Sequence, residues 1–212
     1  MESTRIIAVR HGETAWNADA RIQGHIDIPL NPTGLWQAQQ LALALHSEPI
    51  TAIYSSDLQR ALQTAQPLAA ARGQAVVALP ELRERCFGVF EGCTFAEIEA
   101  TQPENALRWR KREPGFEPPG GESLLLLHDR VTTALHDLAA RHIGELILVV
   151  SHGGVMDVLY RAATRQDIGA PRSWALGNAA INRLLWSPGG LCLVGWADTQ
   201  HLVTGARDEN FG

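Results

Sequence analysis

Two short apolar runs constrain this chain more than any other feature. Residues 5–10 (RIIAVR) and 146–150 (LILVV) are aliphatic and β-branched, and both are too short to be buried helices. Runs of this kind form strands covered on both faces, which requires helices on either side of a sheet. Each run ends in the same way, at Arg10-His11-Gly12 and at Ser151-His152-Gly153-Gly154. In a parallel sheet the carboxyl ends of the strands share one edge, so the two histidines can meet in one pocket although they are far apart in sequence.

The segments between these runs alternate in type. Turn residues Pro29, Asn31, Pro32 and Gly34 precede helical spacing over 35–46. A strand is expected at 52–55, then a helix with Asp57 as its N-cap and Arg60 in its first turn, ending at Arg72-Gly73. Residues 75–79 read as a strand, 81–85 as a polar junction, and 95–100 and 104–111 as short helices. After the Pro/Gly-rich stretch 114–121, Leu124, Leu127, Val131, Leu135 and Leu138 mark one face of a long helix over 123–142, closed by Gly144. A further helix is expected over 155–161. Ser187-Pro188-Gly189-Gly190 then joins apolar runs 180–186 and 191–196 as the four-residue connection of a hairpin. The alternation gives an α/β fold: a three-layer sandwich with a mostly parallel central sheet, helices on both faces and an antiparallel C-terminal hairpin. Residues 1–212 read as a single domain with a short helical insertion at about 94–122.

Composition narrows the function classes. With 212 residues, 45% of them hydrophobic, the chain can build one substantial core. A net charge of -5 supplies no basic field for nucleic acid, so any phosphate recognition must be local. The start MESTRIIAVRHG lacks the basic, then apolar, layout of a signal peptide, and no stretch approaches the ~20 apolar residues of a membrane span. The expectation is a cytoplasmic protein without membrane or nucleic-acid partners. Cys86, Cys93 and Cys192 are scattered and read as ordinary buried thiols.

A histidine at a strand end, next to an arginine, suits attack on phosphorus, because guanidinium groups hold phosphoryl oxygens in a planar fork. A lone Arg-His-Gly string fits a capping histidine beside a surface arginine just as well. Other phosphatase chemistries lack their residues. A cysteine nucleophile needs an arginine six positions on, where Cys86 has Gly92 and Cys93 has Glu99. His128, His136 and His142, on the long helix, have no metal-ligand spacing and read as solvated or packing residues. The six tryptophans read as core or rim, and only Trp16 lies within a site motif.

Positions 10–17 read RHGETAWN, which resembles the signature of the histidine phosphatase superfamily, also called the phosphoglycerate mutase-like family. The resemblance continues through Arg21-Ile22-Gln23-Gly24, Asp27-x-Pro29-Leu30, Ser55-Ser56-Asp57-Leu58-x-Arg60-Ala61, Leu82-Arg83-Glu84, Phe87-Gly88-x-Phe90-Glu91-Gly92, Gly120-Gly121-Glu122-Ser123, Ser151-His152-Gly153-Gly154 and Asn178. It implies that His11 is the nucleophile, Arg10 and Arg60 the phosphate clamps, His152 a second, protonated pocket histidine and Glu84 the proton donor. Asn17, Gln23, Gly24 and Gly153 complete the implied phosphate-binding set. Asn17 and Gln23 also suit turn positions. The implied substrate is a small phosphorylated metabolite, and no metal or other cofactor takes part.

Within the family, hydrolysis of the phosphohistidine competes with transfer to a phosphoglycerate hydroxyl. Residues 82–95 read LRERCFGVFEGCTF, whereas the mutases carry a stretch like LNERHYG and then Gly-Leu-Asn-Lys; Arg83, Glu91 and the missing lysine resemble the phosphatase branch. Trp109-Arg110-Lys111-Arg112 is similar to a substrate-contacting element of the mutases, and reads equally as a solvated basic helix end. The alternatives are therefore a cofactor-dependent phosphoglycerate mutase, needing 2,3-bisphosphoglycerate, and a non-catalytic phosphate-binding module. Met156-Asp157 stands where related phosphatases often carry an arginine, which removes a positive charge from the rear wall of the pocket. Oligomeric state is not legible.

Overall fold

The computed structural model describes residues 3–203. Strands β1 (Thr4–Arg10), β2 (Ile50–Ser55), β3 (Val76–Ala78), β4 (Leu146–Ser151), β5 (Ile181–Ser187) and β6 (Gly190–Asp198) form one sheet in the order β3-β2-β4-β1-β5-β6. The first four are parallel, and β5 and β6 are antiparallel to their neighbours. Helices α1 (Ala15–Ala18), α2 (Pro32–Ala44), α3 (Gln59–Arg72), α4 (Phe95–Thr101), α5 (Pro103–Arg110), α6 (Leu124–Ala140) and α7 (Gly153–Thr164) complete the α/β architecture expected from the sequence.

Period-two alternation along the buried strands divides the core. Ile6 and Ala8 of β1 face one layer with Leu127, Val131, Leu135, Val155 and Leu159 of α6 and α7. Ile7 and Val9 face the other layer with Leu41, Ala42, Ala61, Ala65 and Leu68 of α2 and α3. A smaller third cluster of Phe90, Ile98, Ala106 and Phe116, with Trp109 against it, holds α4 and α5 together above the sheet edge.

Several local expectations are corrected. Helix α2 starts three residues before its apolar periodicity, because Asn31 accepts the Gly34 N–H at 2.8 Å and Pro32 opens the first turn. Asp57 is not the cap of α3. Leu58 occupies that position, and the oxygen comes from Asp27, which accepts the Gln59 N–H at 2.7 Å. Asp57 instead pairs with Arg83 through two hydrogen bonds of 2.7 and 2.5 Å. The hairpin connection is tighter than expected, since Ser187 pairs with Gly190 and only Pro188 and Gly189 lie between the strands. Cys86 and Cys93 are half-buried and Cys192 is exposed, so none is a core thiol. No helix among the described residues is long and apolar enough to cross a membrane.

Candidate active site

Strand pairing brings the two histidines together. Arg10 lies opposite Ser151 in the β1–β4 register, and the His11 N–H donates to the Ser151 carbonyl at 2.8 Å. His11 and His152 therefore leave the sheet edge side by side, with ring centroids 5.2 Å apart. Gly12 is required at the turn that follows, because a Cβ there would stand 2.7 Å from the Gly34 carbonyl oxygen. Its N–H donates to Thr64 Oγ1 at 2.9 Å. The His11 Nδ1 lies 2.7 Å from the Gly12 carbonyl, which can only accept, so the ring proton sits on Nδ1 and Nε2 keeps its lone pair. Asn178 donates from the far end of the chain to the His11 carbonyl at 2.9 Å.

Cationic groups surround this ring. Arg60, fully buried in the first turn of α3, donates to the Gly24 and Ile26 carbonyls at 2.8 and 3.0 Å. Burial lowers its pKa to about 10, which leaves it charged at neutral pH. Arg10 donates to the Leu176 carbonyl at 2.5 Å, and burial lowers its pKa too. Among the described residues, Arg10 Nε, Arg60 Nε and His152 Nδ1 are buried without any protein partner. Arg10 and Arg60 line one cavity with Gln23, whose Oε1 is likewise buried without a partner, and the two guanidinium N–H groups suit an anionic acceptor.

Burial first, and the neighbouring Arg10 and Arg60 next, hold the His11 pKa well below the ordinary histidine value. The same holds for His152, where burial leads and Arg60 follows. Burial beside the guanidinium groups therefore favours the neutral form of His152 over the protonated form that the resemblance implied, whereas a dianion beside the ring would oppose both guanidinium groups and favour protonation. His152 Nε2 lies 2.8 Å from Ser56 Oγ, a partner that the motif quoted but did not assign.

Glu84 stands at the N-terminus of α7. The Gly154 N–H lies 3.0 Å from each carboxylate oxygen, and the Arg85 N–H donates to Oε1 at 2.8 Å. Gly154 has no room for a side chain, as a Cβ would fall 2.2 Å from Glu84 Oε1. The flanking arginines point away: Arg83 to Asp57, and Arg85 to the Glu122 and Phe116 carbonyls.

Two cavities meet at this carboxylate. The inner one, about 170 Å3, is lined by Arg10, His11, Asn17, Gln23, Gly24, Arg60 and Glu84. The outer one, about 390 Å3, shares Arg10 and Glu84 and adds Trp109, Arg112, Leu127, Gly153, Asp157 and Arg172. Nearly all the residues expected at the phosphate thus line the inner cavity; Gly153 lines the outer one, and His152 lies behind. Asn17 lines the inner cavity and also serves the turn, since its Oδ1 accepts the Thr14 N–H at 3.1 Å in a capping box. Trp109 lines the outer cavity, and Trp16 lines neither of the two.

The outer cavity brings together two segments that the sequence named separately, residues 109–112 and Met156-Asp157. Asp157 accepts from Arg112 at 2.6 Å and from Arg161 at 3.0 Å. The positive charge that appeared to be lost at Met156-Asp157 is therefore returned by Arg112, reaching from beyond the end of α5. No signal in the sequence pairs these positions. Among the described residues, no group of three or more His, Cys, Asp or Glu side chains is placed to hold a metal ion.

Comparison with known proteins agrees with this geometry. The family model of the histidine phosphatase superfamily (branch 1) matches residues 6–199. Phosphoglycerate mutase-like protein 4 of Arabidopsis thaliana is 40% identical, over 100% of this chain and 93% of its own. A metal-independent phosphoserine phosphatase of the same plant is 39% identical, over 95% of this chain and 84% of its own. Among solved structures, Bacillus stearothermophilus YhfR superposes with a TM-score of 0.88 at 29% identity, covering 94% of this chain and 100% of that one. Motif, fold and pocket agree, and the chain belongs to the histidine phosphatase superfamily, branch 1.

Proposed function

We propose that the protein is a phosphomonoesterase that acts on a small phosphorylated metabolite through a phosphohistidine at His11, without a metal. The observation that carries this reading is the cup itself: a neutral imidazole with a free Nε2 lone pair, set among buried guanidinium groups whose Nε atoms have no protein partner. Nε2 attacks phosphorus, the ester P–O bond breaks, and the leaving oxygen takes its electron pair and a proton from Glu84. Water then attacks the phosphohistidine and gives a proton to the Glu84 carboxylate, which releases inorganic phosphate and restores His11. Arg10 and Arg60 stabilise charge on the phosphoryl oxygens throughout.

Glu84 lines both cavities, at the junction where a leaving oxygen passes from one to the other. The likeness to a metal-independent phosphoserine phosphatase supports both hydrolysis and metal independence. The name of the phosphoglycerate mutase-like relative keeps the transferase reading as the outcome to test against. Activity on an aryl phosphate should survive excess chelator, and His11→Ala should abolish the acid-labile phosphoenzyme. Incubation with 3-phosphoglycerate, with and without 2,3-bisphosphoglycerate, should release inorganic phosphate or leave the compound untouched. Interconversion of the 2- and 3-phosphoglycerates far faster than hydrolysis would overturn the phosphatase reading.

A further inference from the structure

The carboxylate of Glu84 is fixed by α7, and its main chain is fixed by a residue outside both cavities. The ring Nε2 of His25 lies 2.8 Å from the Glu84 carbonyl oxygen. A carbonyl only accepts, so the His25 Nε2–H donates. His25 sits between Gly24 and Ile26, the two residues whose carbonyls accept the Arg60 guanidinium. Its own N–H donates to Glu91 Oε1 at 3.0 Å, and the same oxygen accepts the Phe87 N–H at 2.9 Å. Two main-chain bonds extend the junction: Ile22 N–H to the Cys93 carbonyl at 2.9 Å, and Gly92 N–H to the Ile22 carbonyl at 2.8 Å. The segment that closes the phosphate cup and the segment that carries the acid are thus one hydrogen-bonded unit, with the His25 ring at its centre. Arg130 also approaches the Glu84 carbonyl, at a longer 3.3 Å, while donating to the Glu81 and Arg83 carbonyls at 2.8 and 3.0 Å and to Glu122 at 3.0 and 2.8 Å.

We propose that His25 is a positioning residue that couples occupation of the phosphate cup to placement of the proton donor. Arg60, drawn to a phosphoryl group, carries residues 24–26 with it, and the His25 ring carries the Glu84 main chain. This rests on the reading of Glu84 as the proton donor. His25 lines neither cavity.

The test is single-turnover phosphorylation of His11 by aryl phosphates of rising leaving-group pKa, from dinitrophenyl to phenyl phosphate. His25→Leu removes the donor, and His25→Gln restores an amide N–H at the same reach. His25→Leu should lose about tenfold on phenyl phosphate and little on dinitrophenyl phosphate, because only the poorer leaving group needs a well-placed proton. Vanadate affinity should hold, and His25→Gln should recover most of the loss. If His25→Leu does not fold, His25→Met and His25→Gln, matched in length, decide by the same series. Equal losses across the series, or no recovery by glutamine, would overturn the proposal. Glu84→Gln separates the two readings. A flat response there removes Glu84 from the acid role and the coupling with it, whereas a steep response beside a flat His25→Leu overturns the coupling alone.

Discussion

Arg60 has no exposed surface and still carries its charge at neutral pH, held by two backbone carbonyls on one side and facing the phosphate cup on the other. Lysine could neutralise an anion there, but one ammonium group cannot hold both carbonyls and present a planar fork. Arg60→Lys should therefore lower kcat/KM on p-nitrophenyl phosphate by about 10²–10³, the scale on which a preorganised donor to a transition state acts. Retention of activity within a few-fold, with an unchanged melting temperature, would place Arg60 outside the transition-state contacts. At this scale the sequence was informative about which side chains gather at the pocket, since Arg10, His11, Arg60, Glu84 and His152 stand in recognisable strings. It was uninformative where side chains act on each other. Ser56 and His152, or Arg112 and Asp157, meet only through the fold, and nothing local marks either pair.

Helix α3 shows how an element can be legible while its support is not. Its apolar face and its Arg72-Gly73 ending followed from periodicity, and Gly73 takes the left-handed conformation expected of a C-cap. Its N-terminus misled, because Asp57 precedes the helix as a cap should, yet it is held by Arg83, whose hydrogen bond also lowers the Asp57 pKa. The capping oxygen arrives from Asp27, a distant residue in the loop that Arg60 also grips. Asp27→Ala should cost about 1 kcal/mol in unfolding free energy, and Asp27→Asn should restore much of it, since an amide oxygen also caps. Denaturant midpoints check this, and an unchanged midpoint for Asp27→Ala would show that the Gln59 N–H finds another acceptor.

For the molecule as a whole, the buried histidines set a pH dependence. His11 and His152 have pKa values well below 6.5 in the folded state, chiefly through burial. Unfolded, each takes up a proton near the ordinary value of about 6.5. Between these limits the unfolded chain binds more protons, so stability falls as pH drops below about 6.5 and is fully retained above it. Melting temperatures from pH 8 to 5 should show that decline. His152→Asn should reduce it, and a flat profile would mean that neither ring is buried neutral. A mostly parallel sheet between layers of helices was readable from the apolar runs and the helical segments between them, whereas the strand order β3-β2-β4-β1-β5-β6 was not. Nor was the outer cavity, because its walls come from the ends of α5 and α7 and the loop near Arg172. Its roof rests on the separate cluster of Phe90, Ile98, Ala106 and Phe116, which shares no residue with the two cores beside the sheet. Substitutions far apart and without common partners act nearly additively. Under the phosphomonoesterase reading, substitutions in the roof can therefore change which leaving groups fit while the strands that aim His11 stay as they are, so selectivity and reaction are separable by mutation.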